Sequence, residues 1–210
     1  MATGKNTSKG KNAATARERV AAARAETERK ARRGKLIFRG VLAVLLVGGV
    51  GGLAAVVLSS QASATIDGVK SYSGLDRNHV STPVTYPQVP PVGGNHAPVW
   101  LNCGIYDAAV KNENAVHAME HGAVWITYQP GTSAADIALL KADVSGKAYA
   151  ILSPYPGEPA QVTATAWGKQ LAVSSASDPR IAKFISTYMQ GPQTPEPGAA
   201  CTGGTGTPTG

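Results

Sequence analysis

The chemically richest segment of this 210-residue chain is 116–122, where two histidines flank a methionine and a glutamate. An imidazole that is uncharged near neutral pH is a common metal ligand and a general acid or base. The chain has only four histidines, and all of them fall within one window of 43 residues: His79, His96, His117 and His121. This clustering predicts that the functional site lies in that window.

A helix over 112–121 would bring part of the motif onto one face. With Gly122 as the residue that follows the helix end, His117, Glu120 and His121 occupy positions i, i+3 and i+4. This is the H-x-x-E-H arrangement of inverzincin metalloproteases, with two ligands and a base or a further ligand. We favour the helix because alanine, methionine and glutamate are good helix formers.

An extended segment would instead place His117, Met119 and His121 on one face. That set suits copper, because a thioether favours Cu(I) and imidazole accepts several metals. From either geometry we predict a site for zinc, copper or a small ligand. Its predicted ligands are His79, His96, His117 and His121, with Met119 and Glu120 as additional candidates.

Two other functions remain open at this point. The histidines could brace the fold by hydrogen bonding without a metal, which would make the domain a structural or protein-interaction module of the cell envelope. A small metal-dependent hydrolase is the third hypothesis. The sequence has no recognisable nucleophile elbow and no glycine-rich phosphate loop after a strand. We therefore assign no catalytic residue and favour a role other than catalysis.

The histidines need a scaffold, and the sequence around them predicts one. A proline- and glycine-rich loop, 82–96, cannot be helical and ends at His96. Apolar periodicity and turn residues then predict strands over 123–128, 147–153, 161–166 and 169–173 and helices over 134–143 and 179–189. These elements predict an α+β domain, a small antiparallel or mixed sheet with helices on one face. Trp125 and Trp167 are expected in its core.

The positive charge of the chain is concentrated at one end. Residues 1–39 have a net charge of +9 and the remainder has −2. Residues 40–58 carry no charge, and at ~1.5 Å per residue they could cross a ~30 Å hydrocarbon core as one helix. We predict a single-pass protein of the cell membrane, with 1–39 in the cytoplasm and the C-terminal part outside. Cleavage after Ala64 is the alternative, and we expect no nucleic-acid partner for the basic arm.

Three further segments are predicted outside the membrane: a polar stalk, 59–75, a folded domain, 76–190, and a flexible tail, 191–210. The tail is too poor in apolar residues to fold alone. Disulfides persist outside the cytoplasm, so we predict a bridge between Cys103 and Cys201 that pins the tail to the domain. Besides the membrane, an envelope protein is a candidate partner.

A series of short motifs runs through the predicted outer domain. It comprises His79, Tyr86-x-x-x-Pro90-Pro91-x-x-Gly94-x-His96, Gly104-Ile105-Tyr106, Val116-His117-x-x-Glu120-His121-Gly122-x-Val124, Tyr128-x-Pro130 and Ala166-Trp167-Gly168. The series covers roughly residues 76–190 and resembles a bacterial family, the domain of unknown function 3105 family, which often follows a single membrane helix. The resemblance implies no particular activity. In this chain the family's usual Pro-Pro-Thr-Ser-Gly-Pro-His loop lacks both hydroxyls, and Met119 replaces a leucine.

Overall fold

The scaffold around the histidine window is a six-stranded sheet with three helices. The computed structural model describes residues 65–210, so the predicted cytoplasmic arm, the predicted membrane span and the first part of the predicted stalk, 59–64, lie outside this range. The strands are β1 (Lys70–Ser71), β2 (Gly104–Ile105), β3 (Val124–Tyr128), β4 (Ala150–Pro154), β5 (Val162–Ala166) and β6 (Lys169–Val173), and the helices are α1 (Asn112–Glu120), α2 (Ala134–Val144) and α3 (Arg180–Tyr188). Within residues 65–210, no helix has the length and apolarity that crossing a membrane requires.

The sheet is mixed, with the strand order β1-β6-β5-β3-β4-β2. Strands β3 and β4 are parallel because α2 carries the chain back between them, and β2 also runs parallel to β4. The remaining neighbours are antiparallel. In the centre of the sheet, Trp125 of β3 lies opposite Ile151 of β4 and Thr165 of β5. The α+β prediction with an antiparallel or mixed sheet is therefore confirmed in its mixed form.

The helices lie on both faces of the sheet, so the prediction of helices on one face is wrong. Every residue of β3 is buried, and successive strand side chains point to opposite faces. Val124 and Ile126 join one apolar cluster with Leu140 of α2 and Phe184 of α3. Trp125, between them in sequence, joins a second cluster with residues of α1. A strand that is apolar at consecutive positions requires cover on both sides, and the three helices provide it.

The second apolar cluster anchors α1 to the sheet. It contains Trp125 and Ile151 from the strands, Trp167 from the turn between β5 and β6, and Met119 from α1. Trp125 is fully buried, and its indole N–H donates a hydrogen bond to Ser153 Oγ at 3.0 Å. The predicted core positions of Trp125 and Trp167 are confirmed. Through this packing, one face of α1 is fixed to the sheet while its other face is left to the histidines.

The predicted strands and helices are all present, with ends that differ by at most three residues. Helix α2 begins as the sequence indicates, because Ser133 Oγ accepts a hydrogen bond from the Asp136 N–H at 3.1 Å. Strands β1 and β2 were not expected. Each has only two residues, which is too short for a pattern of alternating apolar side chains to reveal.

The segment predicted as a tail, 191–210, contains no helix or strand but follows the surface of the domain closely. Thr205 N–H donates to the carbonyl oxygen of Trp100 at 2.9 Å, and Thr209 N–H donates to that of Ile105 at 2.7 Å. Cys103 and Cys201 form a disulfide with Cα atoms 5.4 Å apart, as predicted. The tail therefore contributes backbone to the sheet edge at β2 and to the region around α1.

Candidate metal centre

The motif 116–122 adopts the helical geometry, and the extended alternative is wrong. Helix α1 ends at Glu120, with His121 still in a helical conformation (φ −74°, ψ −4°) as its C-cap. Gly122 follows at φ +101°, and its N–H donates to the carbonyl oxygen of Met119 at 3.0 Å. A β-carbon at this position would also collide with the side chain of Gln190. Glycine is thus required here by both backbone conformation and space.

The two faces of α1 have different roles. Met119 is fully buried in the apolar cluster beside Trp125, on the face that packs against the sheet. His117, Glu120 and His121 share another face, as their i, i+3 and i+4 spacing requires. The structure therefore groups the candidate ligand Glu120 with the histidines and packs the candidate ligand Met119 among apolar side chains.

His96 approaches this face of α1 from the proline- and glycine-rich loop. The loop is held to the sheet by two hydrogen bonds: Gln170 Nε2 donates to the carbonyl oxygen of Pro90 at 2.9 Å, and Gly168 N–H donates to that of Val92 at 2.7 Å. Because the loop is fixed on the β5–β6 hairpin, His96 is presented by a supported backbone. Its side chain is completely buried.

His79 is placed by pairing with His96. The His96 N–H donates to the carbonyl oxygen of Asn78 at 3.0 Å, and the Val80 N–H donates to that of His96 at 2.7 Å. This short parallel bridge aligns the two histidines side by side. The His79 ring stacks on His117, with ring centroids 4.7 Å apart and an angle of 23° between the planes. His79 is exposed, so it forms the solvent side of the group.

The candidate ligand atoms converge. One ligand atom from each of His79, His96, His117 and Glu120 lies within 4.8 Å of the other three. His121 adjoins this group, because its Nε2 atom is 3.0 Å from Nε2 of His117. The structure thus brings the four predicted histidines and Glu120 to one place. We call these five residues the histidine cluster.

Three of the imidazoles have their tautomer fixed by the backbone. In each, Nδ1 lies within hydrogen-bond distance of a carbonyl oxygen, which can only accept, so Nδ1 must carry the hydrogen. These bonds join His96 to Gly94 at 2.8 Å, His117 to Ala97 at 2.6 Å and His121 to Ala200 at 2.6 Å. In the neutral ring the other nitrogen, Nε2, then has no hydrogen and presents a lone pair.

These lone pairs face other acceptors. Nε2 of His117 and Nε2 of His121 are 3.0 Å apart, and Nε2 of His96 is 3.0 Å from Oε2 of Glu120. Within residues 65–210, the buried Nε2 of His96 makes no hydrogen bond. Two acceptors at such a distance repel each other unless a proton or a cation lies between them. The cluster therefore has an unmet requirement for positive charge.

Burial disfavours protons on His96 and His117 as the source of that charge. Desolvation lowers the pKa of His96, and it lowers that of His117 from 6.5 to about 4. Desolvation also raises the pKa of Glu120. Near neutral pH these histidines are therefore neutral and available as ligands. A divalent cation would neutralise the facing lone pairs without protonating buried imidazoles.

Aromatic rings surround the cluster. The Trp100 ring lies 5.1 Å from that of His121 and 5.8 Å from that of His117, measured between centroids. Trp167 stands perpendicular to His96 at 5.9 Å. These rings limit the movement of the imidazoles and lower the local dielectric constant, which strengthens any interaction with a cation.

Several parts of the site were not predicted from the sequence. Glu196, from the segment predicted as a flexible tail, has its Oε2 atom 3.7 Å from His121 Nε2. The only signal for it was the nearby Cys201, whose predicted bridge returns the tail to the domain. The carbonyl oxygens that fix the tautomers belong to glycine and alanine residues, which carry no pattern that sequence could reveal.

Comparison with known proteins places the chain in a family. Residues 79–203 match the sequence model of the family described as "Protein of unknown function (DUF3105)", and the chain belongs to this family. The matched region contains all four histidines, Glu196 and both cysteines. No curated protein and no solved structure matches the chain. The family description assigns no activity, so the function has to be argued from the geometry of the cluster.

Proposed function

We propose that the domain binds a divalent transition metal at the histidine cluster, with its ligands drawn from His79, His96, His117, His121 and Glu120. One observation supports this most strongly. Three imidazoles donate their Nδ1–H to backbone carbonyls and turn their Nε2 atoms toward one another or toward Glu120. Metal-binding histidines almost always donate the second ring N–H in this way, which fixes the tautomer and orients the ring.

The ligand types favour Zn²⁺ or Cu²⁺. The cluster offers imidazole nitrogens and a carboxylate, which suit both ions. Cu(I) prefers sulfur, and the nearby thioether of Met119 is packed in the apolar cluster instead. Mg²⁺ and Ca²⁺ prefer oxygen ligands and would bind weakly at a site made mainly of imidazoles.

Metal analysis of the full-length chain, purified in detergent, tests the proposal. We expect about one Zn²⁺ or Cu²⁺ per chain at neutral pH, removed by chelation and restored by adding the ion. Substituting His117→Ala together with His121→Ala should weaken binding by more than the roughly 10–100-fold typical of losing a residue that only orients a ligand. Met119→Leu is the matched control on the same helix and should retain binding.

The main alternative is a cluster that only braces the fold, as part of a structural or protein-interaction module. It predicts that the protein stays metal-free after incubation with either ion. It also predicts the same unfolding temperature with and without Zn²⁺, whereas a ligand that binds only the folded state must raise that temperature. Both results together would contradict the metal proposal.

A small organic ligand remains compatible with the same site. A surface cavity of about 430 Å³ adjoins the cluster, lined by Val80, Ala97, Lys111 and Glu113 among others. Ala97 supplies the carbonyl that accepts the His117 Nδ1–H, so the cavity and the cluster share a wall. Exposed His79 would leave one side of a bound metal open toward solvent. These features support a metal that can accept a further ligand, and no step of catalysis is assigned to it.

We also propose that the domain lies outside the cytoplasm, anchored by residues 40–58. The uncharged span and the net charge of +9 on residues 1–39 support this topology. Protease added to intact, wall-stripped cells should then degrade the domain that contains the histidine cluster. Protection of that domain under conditions that cleave a known surface protein would contradict the proposed orientation.

A further inference from the structure

We propose that residues 190–201, which we call the strap, form part of the metal centre, with Glu196 as an additional metal ligand. The strap ends in the Cys103–Cys201 disulfide, so metal affinity and the redox state of this disulfide are coupled. This inference rests on the proposed function, and the experiments below separate its failure from the failure of metal binding itself.

The strap is attached to the C-terminal end of α1 by several hydrogen bonds. The Glu196 N–H donates to the carbonyl oxygen of Glu120 at 3.0 Å, and the Gln190 N–H donates to that of Gly122 at 3.0 Å. The Gln190 side chain donates to the carbonyl oxygen of His121 and accepts from the Gly198 N–H at 2.8 Å. Glu196 and Gln190 are therefore tied to the C-terminal end of the helix that carries three of the ligands, and Gly198 is tied to Gln190.

The strap also orients His121 directly. The carbonyl oxygen of Ala200 accepts the His121 Nδ1–H at 2.6 Å, which leaves Nε2 for the metal. The next residue, Cys201, is buried, and its carbonyl oxygen accepts the Cys103 N–H at 2.7 Å. The group that sets the tautomer of His121 is thus one residue away from the disulfide.

Glu196 is placed to bind the same ion. Its Oε2 atom is 3.7 Å from His121 Nε2, while tetrahedral ligands about 2.0–2.1 Å from zinc lie roughly 3.3 Å from one another. Its side chain is 53% exposed and has His121 as its ion-pair partner among residues 65–210. With Glu120, it would supply two negative charges to balance one divalent cation, which a largely buried site requires.

Reduction of the disulfide would release the end of the strap. A trialkylphosphine reduces it with one water molecule: the S–S bond breaks, two thiols form and the phosphine becomes its oxide. Ala200 and Glu196 would then lose the covalent link that holds them beside His121. By thermodynamic linkage, if the disulfide strengthens metal binding, bound metal must equally stabilise the disulfide against reduction.

Zinc affinity, measured on the full chain in detergent by competition with a chromophoric chelator, provides the first test. Glu196→Gln should weaken Zn²⁺ binding by about 10–100-fold, and Cys103→Ser with Cys201→Ser should weaken it by a similar factor. Asp67→Asn removes an exposed carboxylate elsewhere and should change the affinity less than about twofold. The serine pair is preferred to chemical reduction here, because new thiols could themselves bind zinc.

Non-additivity provides the second test. If the strap acts as one unit, adding Glu196→Gln to the protein that already carries both serines should lower its Zn²⁺ affinity only slightly. In the wild-type protein, phosphine reduction of the disulfide should be several-fold slower with Zn²⁺ than with Mg²⁺. Because Glu196→Gln changes one exposed side chain and keeps the disulfide, its effect does not depend on whether the serine variant folds fully.

The outcomes are distinguishable. If the wild-type protein, Glu196→Gln and the serine pair all bind Zn²⁺ with the same affinity, the strap proposal is overturned and the metal proposal stands. Wild-type protein that binds no metal would overturn both. A loss of affinity in Glu196→Gln that equals the loss in Asp67→Asn would reduce Glu196 to a general surface charge, which also contradicts its role as a ligand.

Discussion

Glu158 is a buried carboxyl group whose substitution should stabilise the protein at neutral and alkaline pH. Its side chain is only 3% exposed and contacts Thr127 near the C-terminal end of β3. Oε2 is 2.7 Å from Thr127 Oγ1, while Oε1 has no hydrogen-bond partner among residues 65–210. Thr127 Oγ1 is also 3.3 Å from the Thr163 carbonyl oxygen, and its single hydroxyl hydrogen can be donated fully to only one of these two acceptors. A protonated Glu158 would satisfy both, by donating to Thr127 while Thr127 donates to Thr163.

The size of the effect follows from the pKa. Burial raises the pKa of Glu158 from 4.5 to about 7, although hydrogen bonds from Thr127 and Thr163 oppose it. A group with a raised folded-state pKa stabilises the fold fully below pH 4.5, and this stabilisation is lost as the pH rises through about 7. At about 1.4 kcal/mol per pKa unit, the loss between pH 5 and pH 8 is about 2.5 kcal/mol. A glutamine at this position does not titrate and would not show that loss.

Chemical unfolding at pH 5 and pH 8, with a chelator present, measures this difference for Glu158→Gln. We subtract the free energy of unfolding of the wild type from that of the variant at each pH. This difference should be about 2.5 kcal/mol larger at pH 8 than at pH 5. The exposed Asp76→Asn is the control and should change stability by less than about 0.5 kcal/mol at both pH values. An equal effect of Glu158→Gln at the two pH values would refute the raised pKa.

Three further predictions concern the helix and the disulfide. Met119→Ala should lower the free energy of unfolding by about 2–5 kcal/mol through a cavity beside Trp125, while Met119→Leu should cost less than about 1.5 kcal/mol, and both should keep full metal stoichiometry. Gly122→Ala should destabilise the protein by at least about 1–3 kcal/mol, measured by urea unfolding, because of the positive φ and the collision with Gln190. A milder loss in Gly122→Ala than in the exposed Gly131→Ala, which also has positive φ but open space, would contradict that account. Thiol labelling of unreduced, denatured protein should find neither Cys103 nor Cys201 reactive, and two labelled thiols would contradict the bridge.

The central elements of the fold could be predicted because their local signals agree with their tertiary setting. Ser133 caps the N-terminus of α2, a position at which serine is preferred. Strand β3 combines β-branched and aromatic residues between turn signals. The placement of helices on both faces was missed. Buried strands that are apolar at consecutive positions suggest cover on both sides, but α1 was interpreted for its histidines and not for the apolar stripe of Val116 and Met119.

The site was predictable in part. Helical spacing alone joined His117, Glu120 and His121, and the rigid loop before His96 indicated a fixed approach. The contribution of the strap could not be derived, since a polar segment poor in apolar residues gains its position mainly from the disulfide and from hydrogen bonds that involve its backbone. Such contacts depend on the path of the chain and not on residue type.

Glu120 and Glu158 show why burial of a carboxyl group alone does not indicate a metal. Desolvation raises the pKa of both. One proton on Glu158 completes the hydrogen bonds to Thr127 and leaves no facing lone pairs. At Glu120, one proton shared with His96 would still leave the Nε2 atoms of His117 and His121 facing each other at 3.0 Å, and desolvation lowers the pKa of His117 to about 4. A single divalent cation would neutralise both facing pairs without a charge on His117, which desolvation disfavours, and so satisfies the histidine cluster more completely than a proton on Glu120 does.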